Sequence, residues 1–290
     1  MTSSLYLLGF GVATTLGLLL AFVAAQRLVS PADGFRASAG AKPGEHGSAA
    51  RALVLVGNVL GIFLIAGSIV GGCVQGRSLG QDALWVAAYG AAALVLFLAF
   101  EKLGVLVLVK SRLPSELARG NVAAGLAAGS HAVATGIIVA RAVAGTDLRG
   151  LGVSAIFFLL AQISFYVLTT LFRWLTSYDD EEEIIGENLA AALSYSGCAI
   201  GVAILVGHAV EGQFLGWARS LQAYGLALVS GLLFYPVRQL LVEGLFLGAR
   251  PSLYAGALDR AIGRDRNVGV GALEAIAYVA TALAVSRIAG

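Results

Sequence analysis

Long apolar runs alternate with short polar stretches along this chain, at 5–29, 48–74, 84–109, 121–144, 151–175, 188–210, 217–247 and 267–288. A bilayer core about 30 Å thick takes about 20 helical residues at about 1.5 Å of rise each, and every run is long enough. The pattern predicts an all-α, polytopic integral membrane protein with one transmembrane helix per run. The first run has the position of a signal peptide, but no basic segment precedes it, it is long for a cleavable apolar segment, and Arg27 follows. It is therefore expected to be a retained span. Pro236 lies inside the seventh run and should kink it, because proline has no N–H to give the helix.

The connections alternate between short (near 71–82, 145–150 and 211–216) and longer, as stacked two-helix hairpins would produce. Most of the 19 Lys and Arg flank the longer connections, Arg36, Lys42, Arg51, Lys110, Arg112, Arg119, Arg250, Arg260, Arg264 and Arg266 among them. The short side has Arg77, Arg141, Arg149, Arg219 and Arg287. The positive-inside rule then puts the longer loops in the cytoplasm and both termini outside. The acidic run Asp179, Asp180, Glu181, Glu182, Glu183 does not reverse this, since the rule counts lysine and arginine.

Composition narrows the class. With 58% hydrophobic and 12% charged residues and a mean hydropathy of +0.86, the chain cannot be a soluble enzyme, a secreted disulfide scaffold or a disordered chain. A formal net charge of +2 gives no reason to expect a nucleic-acid partner. Cys73 and Cys198 form no CxxC and have no nearby histidine pair, so no metal, haem or redox site is expected. No GxSxG, HExxH or GxxxxGK[ST] occurs, so the chain offers no catalytic residue and calls for no cofactor.

A short motif repeats. Asn121-Val122-Ala123-Ala124 recurs as Asn188-Leu189-Ala190-Ala191, more weakly as Asn267-Val268-Gly269-Val270, and in degenerate form as Gly47-Ser48-Ala49-Ala50. Repeat helices beginning near 47, 121, 188 and 267 divide the chain into two-helix units 1–76, 77–145, 146–212 and 213–290. Small residues four apart follow in the repeated helices: Gly57 with Gly61, Gly125 with Gly129, Ala192 with Ser196, Gly197 with Gly201, and Gly271 with Ala275. Such pairs let two backbones approach closely where lipid supplies no hydrophobic force. The even-numbered spans are therefore expected inside and the bulkier odd spans toward lipid. All units cross in the same sense, so their pseudo-symmetry axis is expected along the membrane normal.

The Asn-x-Ala-Ala start, the glycine-rich helix after it and the two-helix period resemble the bacterial membrane family named domain of unknown function 350, here as four tandem units. The resemblance implies the inner membrane of a bacterial cell. Members are associated with genes for polyamine-linked ATP-grasp enzymes, which implies such a cytoplasmic enzyme as a candidate partner. The family carries no established activity, so no catalytic residue is implied.

Ionisable groups inside spans are costly and are candidates for function. Glu274, His131, Asn58 and Glu101 are the polar candidates. Glu274 lies about 10 Å into the last span at about 1.5 Å per residue. Its alternatives are a functional carboxyl and a neutral or paired structural one; for His131 and Asn58 the plainer reading is a hydrogen bond between helices. Glu101 and Lys102 are adjacent and point apart, while Lys102, Arg173 and Arg238 are expected to snorkel to the interface. Asn121, Asn188 and Asn267 suit helix N-caps; alternatively their helix starts converge as a polar vestibule that favours an anion. The acidic run is either a solvated loop or an attractor of a divalent cation or polyamine. Two functions follow as expectations: passage or sensing of a small cation or solute, with Glu274, His131 and Asn58 along a central path, or a membrane interaction protein that recruits a soluble cytoplasmic or stress-response partner through its loops.

Overall fold

The computed structural model describes residues 4–29, 48–108, 112–212 and 214–288. Arg36, Ser38, Lys42, Gly47 and Lys110 lie outside the described residues. The described elements are α1 (Ser4–Val29), α2 (Ser48–Cys73), α3 (Leu79–Leu108), α4 (Leu113–Arg119), α5 (Val122–Ala142), α6 (Leu148–Trp174), α7 (Asp180–Ile185), α8 (Leu189–Val210), α9 (Trp217–Gly231), α10 (Phe234–Gln239), α11 (Ala257–Asp259) and α12 (Val268–Ile288). Among the described residues there are 8 spans long and apolar enough to cross a membrane, α9, α10 and the residues after it as far as Phe246 together making one of them. The protein is an all-helical, multi-pass membrane protein.

The seventh span breaks where its chemistry demands. Pro236 has no N–H to return to the Leu232 carbonyl, so α9 stops at Gly231 and α10 starts afresh at Phe234. The chain between them tightens, with the Leu232 and Leu233 amides bonding to Val229 and Ser230 three residues back. Beyond Gln239 the segment Leu240–Phe246 is a wider π-helix.

The repeated helices stand in a row: α2 packs on α5, α5 on α8 and α8 on α12. Among the described residues no comparable interface joins α2 to α12, so the row is open. The expected interior placement therefore applies to α5 and α8, which bury most of their length, while α2 and α12 bury less than half. At the ends, α2 leaves Val56, Leu60 and Phe63 uncovered, and α12 leaves Ile276 and Leu283 uncovered, all surfaces for lipid.

Glycine makes the outer seams possible. A Cβ on Gly57 would overlap the backbone of Gly129, one on Gly125 or Gly129 would strike Ala50 or Leu53 of α2, and one on Gly136 would strike Gly61. The α8/α12 seam repeats the arrangement, Gly197 lying on Ala275 and Gly271 on Ala190. Gly61 also faces the Phe97 ring of α3, where a Cβ would stand 2.9 Å from the ring, and Gly201 faces the Phe234 ring of α10, at 2.8 Å. The central seam differs: Ser130 of α5 donates to the Ser196 hydroxyl of α8 at 2.6 Å, and Ser196 passes its own proton to the Ala192 carbonyl.

Candidate functional site

On the face of the longer connections, the repeat starts share one construction. A residue in the left-handed region precedes each asparagine: Gly120 (φ 88°), Glu187 (φ 62°) and Arg266 (φ 50°). Asn121 Oδ1 then accepts the Ala124 amide, and Asn188 Oδ1 those of Ala190 and Ala191, so each asparagine caps its helix. The other side-chain atom reaches further. Asn121 Nδ2 donates to Glu116 (2.8 Å) and to the Ile184 carbonyl of α7 (2.9 Å). Asn188 Nδ2 donates to Glu183 (2.8 Å) and to the Ile262 carbonyl ahead of α12 (2.9 Å). Burial pushes the Glu116 carboxyl up, but its bonds to Arg119 and Asn121 outweigh that and hold it below the usual carboxylate range. Asn267 is exposed and caps the Val270 amide. Asn121 and Asn188 are spent on their own helix starts and on the Ile184 and Ile262 carbonyls, which leaves them nothing to offer an anion.

The polar candidates do not gather on one central path. Asn58 and Glu101 face each other across α2 and α3, while Lys102, next in sequence, points outward. One turn beyond Glu101, Gly104 leaves the space that the His131 imidazole fills, with a Cβ there overlapping Nε2. The His131 ring lies against Phe165 and stacks on Tyr166, at centroid distances of 5.5 and 5.9 Å, and neither of its nitrogens makes a well-formed hydrogen bond among the described residues. Glu274 belongs to the other half of the molecule. Its Oε1 lies 2.9 Å from Arg238, and the two side chains are 2% and 1% exposed.

Arg238 and Arg173 therefore do not snorkel. The Arg238 guanidinium lies between the rings of Tyr235 and Tyr278, 4.5 and 4.3 Å from their centroids, and donates to Tyr278 and Gln239. Arg173 is buried too, bonding Asp180 through Nε (2.6 Å), Ser194 (2.8 Å) and Tyr178 (2.9 Å). A charge this close to a span's end stays inside when a carboxylate waits there, and the first turn of α7 supplies one. The sequence carried a signal for the Arg238 site: Glu101 follows Phe97 by four positions and Arg238 follows Phe234 by four, and both phenylalanines face the matching glycines Gly61 and Gly201. One position thus holds an acid in one half and a base in the other.

The acidic run is built into the fold. Asp179 Oδ1 caps α7 by accepting the Glu182 amide, Asp180 holds Arg173, and Glu183 accepts from Asn188 and Arg266. Burial lifts the Asp180 carboxyl above the usual range although Arg173 pulls the other way, and burial also raises the Tyr178 phenol. Between this run and His131 lies a pocket of ≈ 410 Å³, walled by α3, α5, α6, α7 and α8. Asp179, Asp180 and Glu181 stand at its rim, Tyr166, Tyr178 and Tyr195 supply aromatic walls, and His131 is at the inner end. Among the described residues no three His, Cys, Asp or Glu side chains gather as a metal site.

Comparison with known proteins agrees with the bipartite geometry. The family described as Domain of Unknown Function (DUF350) matches residues 1–143 and again 146–288, which fits an internal repeat. A UPF0719 transmembrane protein of Aquifex aeolicus (strain VF5) is 23% identical over 188 residues, 64% of this chain and 68% of that protein. No solved structure matches. With the family pattern present in both halves of an eight-span helical chain, this protein belongs to the DUF350 family of membrane proteins.

Proposed function

We propose that this protein senses a small organic cation, taken up from the face of the longer connections into the pocket between α7 and His131. The observation that carries this reading is the pocket's lining: Asp179, Asp180 and Glu181 at the rim, with Asp180 on Arg173 and Asp179 on the cap of α7, and a wall of tyrosines within. Aromatic faces attract cations, most strongly where water is displaced. Sensing is favoured over passage because backbone contacts close the outer seams of the row and Glu274 is already paired with Arg238.

The test is thermal unfolding of the purified protein in detergent with guanidinium, a quaternary ammonium ion or a linear polyamine. A ligand that binds only the folded state stabilises it by RT ln(1 + [L]/Kd), so one of these should give a saturable rise in Tm. Tyr166→Ala and Glu181→Gln should weaken it. Lowering the pH through the raised Asp180 value removes a negative charge from the rim, so the midpoint concentration should climb toward acid pH. No saturable shift with any of the three, or shifts indifferent to both substitutions, would sink the reading. Proteoliposomes should show no flux of the same cation; Glu274→Gln and His131→Ala identify the route if flux is seen.

Recruitment of a soluble partner, such as a polyamine-linked ATP-grasp enzyme, is the second reading. Leu253 and Tyr254, 58% and 60% exposed between Arg250 and Arg260, favour it. The acidic run is a poor dock, since Asp179, Asp180 and Glu183 have internal partners. Leu253→Ser with Tyr254→Ser should abolish co-purification of such a partner and leave the cation-induced Tm rise intact.

Both readings place the longer connections in the cytoplasm of a bacterial inner membrane and the termini outside, on the bias of lysine and arginine. Cysteine at exposed Ser177 tests the orientation, because native Cys73 and Cys198 are buried. In intact cells a membrane-impermeant maleimide should leave it unlabelled; labelling would reverse the orientation.

A further inference from the structure

On the opposite face, a groove of ≈ 1230 Å³ opens where α5 ends, walled by the C-terminal parts of α2 and α8, the first turns of α6 and α9, and residues 144–147, 211–212 and 214–216 of the connections. Its mouth carries Arg141, Arg149 and Arg219. The carboxylates there are engaged elsewhere: Glu211 pairs with Arg141, and Asp147 Oδ1 accepts the Gly150 amide as the cap of α6. Arg149 and Arg219 are exposed and have no carboxylate within ion-pair reach among the described residues.

The groove turns apolar with depth. Leu64, nine residues before the end of α2, and Phe157, nine residues after the start of α6, both line it. At about 1.5 Å per residue this is roughly 13 Å of descent into the span. Leu64 and Leu215 are 43% and 66% exposed, so the groove wall continues into the lipid-facing surface. Phe214 and Trp217 pack together beside the mouth, aromatic side chains of the type that mark the headgroup level, and Phe157 lies against both from inside the groove.

From this juxtaposition of two unpaired arginines at a membrane boundary with an apolar trough leading into the bilayer, we infer that the groove binds the headgroup of an anionic phospholipid. The phosphate sits between Arg149 and Arg219, where guanidinium groups offer forked donors to its oxygens, and the first acyl carbons run down the Leu64 and Phe157 walls. A soluble phosphate would use the arginines and waste the trough. The site is independent of the cation pocket, which opens on the other face.

Native mass spectrometry of the detergent-solubilised protein, exchanged against phosphatidylglycerol or phosphatidylcholine of matched chains, tests the inference. Phosphatidylglycerol should be retained at least tenfold better. R149Q with R219Q should erase that preference, while the charge-matched R250Q with R264Q on the opposite face should keep it. Ala223→Trp, which fills the groove without changing charge, should reduce retention of both lipids at this site. Equal retention of the two lipids, or a preference that survives R149Q with R219Q, would overturn the site. Inorganic phosphate bound with the same arginine dependence and as tightly as phosphatidylglycerol would overturn its assignment to lipid.

Discussion

Arg238 and Glu274 form an ion pair that water cannot reach, and Arg238 Nε and Glu274 Oε2 find no hydrogen-bond partner among the described residues. Removing one partner strands the other charge, which in buried pairs costs about 3–5 kcal/mol, whereas removing both is often close to neutral. Arg238→Gln or Glu274→Gln alone should therefore lower unfolding stability by about that much, and the double substitution should recover most of the loss. Unfolding in detergent across the four proteins gives the coupling directly; additive losses would mean that the pair is not coupled. The glycines give a sharper contrast at the same scale. Gly57→Ala puts a methyl into the Gly129 backbone and should destabilise by about 1–3 kcal/mol, the range for overpacked cores. Gly67→Ala meets nothing within 4 Å and, removing a glycine from a helix interior, should leave Tm unchanged or raise it.

At the scale of the element, the repeat start decides how one hairpin fixes the next. Asn121 and Asn188 cap their own helices and also hold a carbonyl of the neighbouring unit, whereas Asn267 caps alone at an exposed position. Capping is worth about 1 kcal/mol, and the buried Nδ2 bonds add to it, so Asn121→Ala and Asn188→Ala should each cost more than Asn267→Ala. Asn188→Asp keeps the cap oxygen but sets a carboxylate against Glu183 and the Ile262 carbonyl, and should fall nearer to the alanine variant than to the native protein. Thermal shifts of the four variants test the order; equal losses would contradict it. The spans, the caps and the small-residue faces were legible in the sequence because each depends on neighbours within a turn or on length against the bilayer. The partners of Arg173 and Arg238 were not. The match of Phe234 and Arg238 to Phe97 and Glu101 marks a position and names no partner, and the pairing carboxylates, Asp180 for Arg173 and Glu274 for Arg238, come from a different helix. The open row was likewise unreadable, because a repeat with small residues fits both a ring and a line.

For the whole molecule the question is how two similar halves make one protein. They meet along α5 and α8, where Ser130 bonds Ser196, and at the two ends of that seam, where Asn121 reaches Ile184 and Arg141 pairs with Glu211. The pocket beneath the acidic run straddles the join: Gly104 and His131 come from the first half, and Tyr166, Asp180 and Tyr195 from the second. Neither repeat alone contains it, which is why no motif announced it. Separate halves would turn the Ser130 and Ser196 hydroxyls, and the His131 ring, toward hydrocarbon, a cost that reassembly removes. Fragments 1–145 and 146–290, cut within the short connection after α5, should therefore co-purify when expressed together. Ser196→Leu replaces a hydroxyl at a tight seam with a bulkier apolar group and should break the pairing, while Leu226→Ser on the outer surface of α9, 70% exposed, should not. If a cation raises the Tm of the intact chain, it should raise that of the paired fragments and of neither fragment alone. A shift with the second fragment by itself would show that His131 and Gly104 are not part of the site.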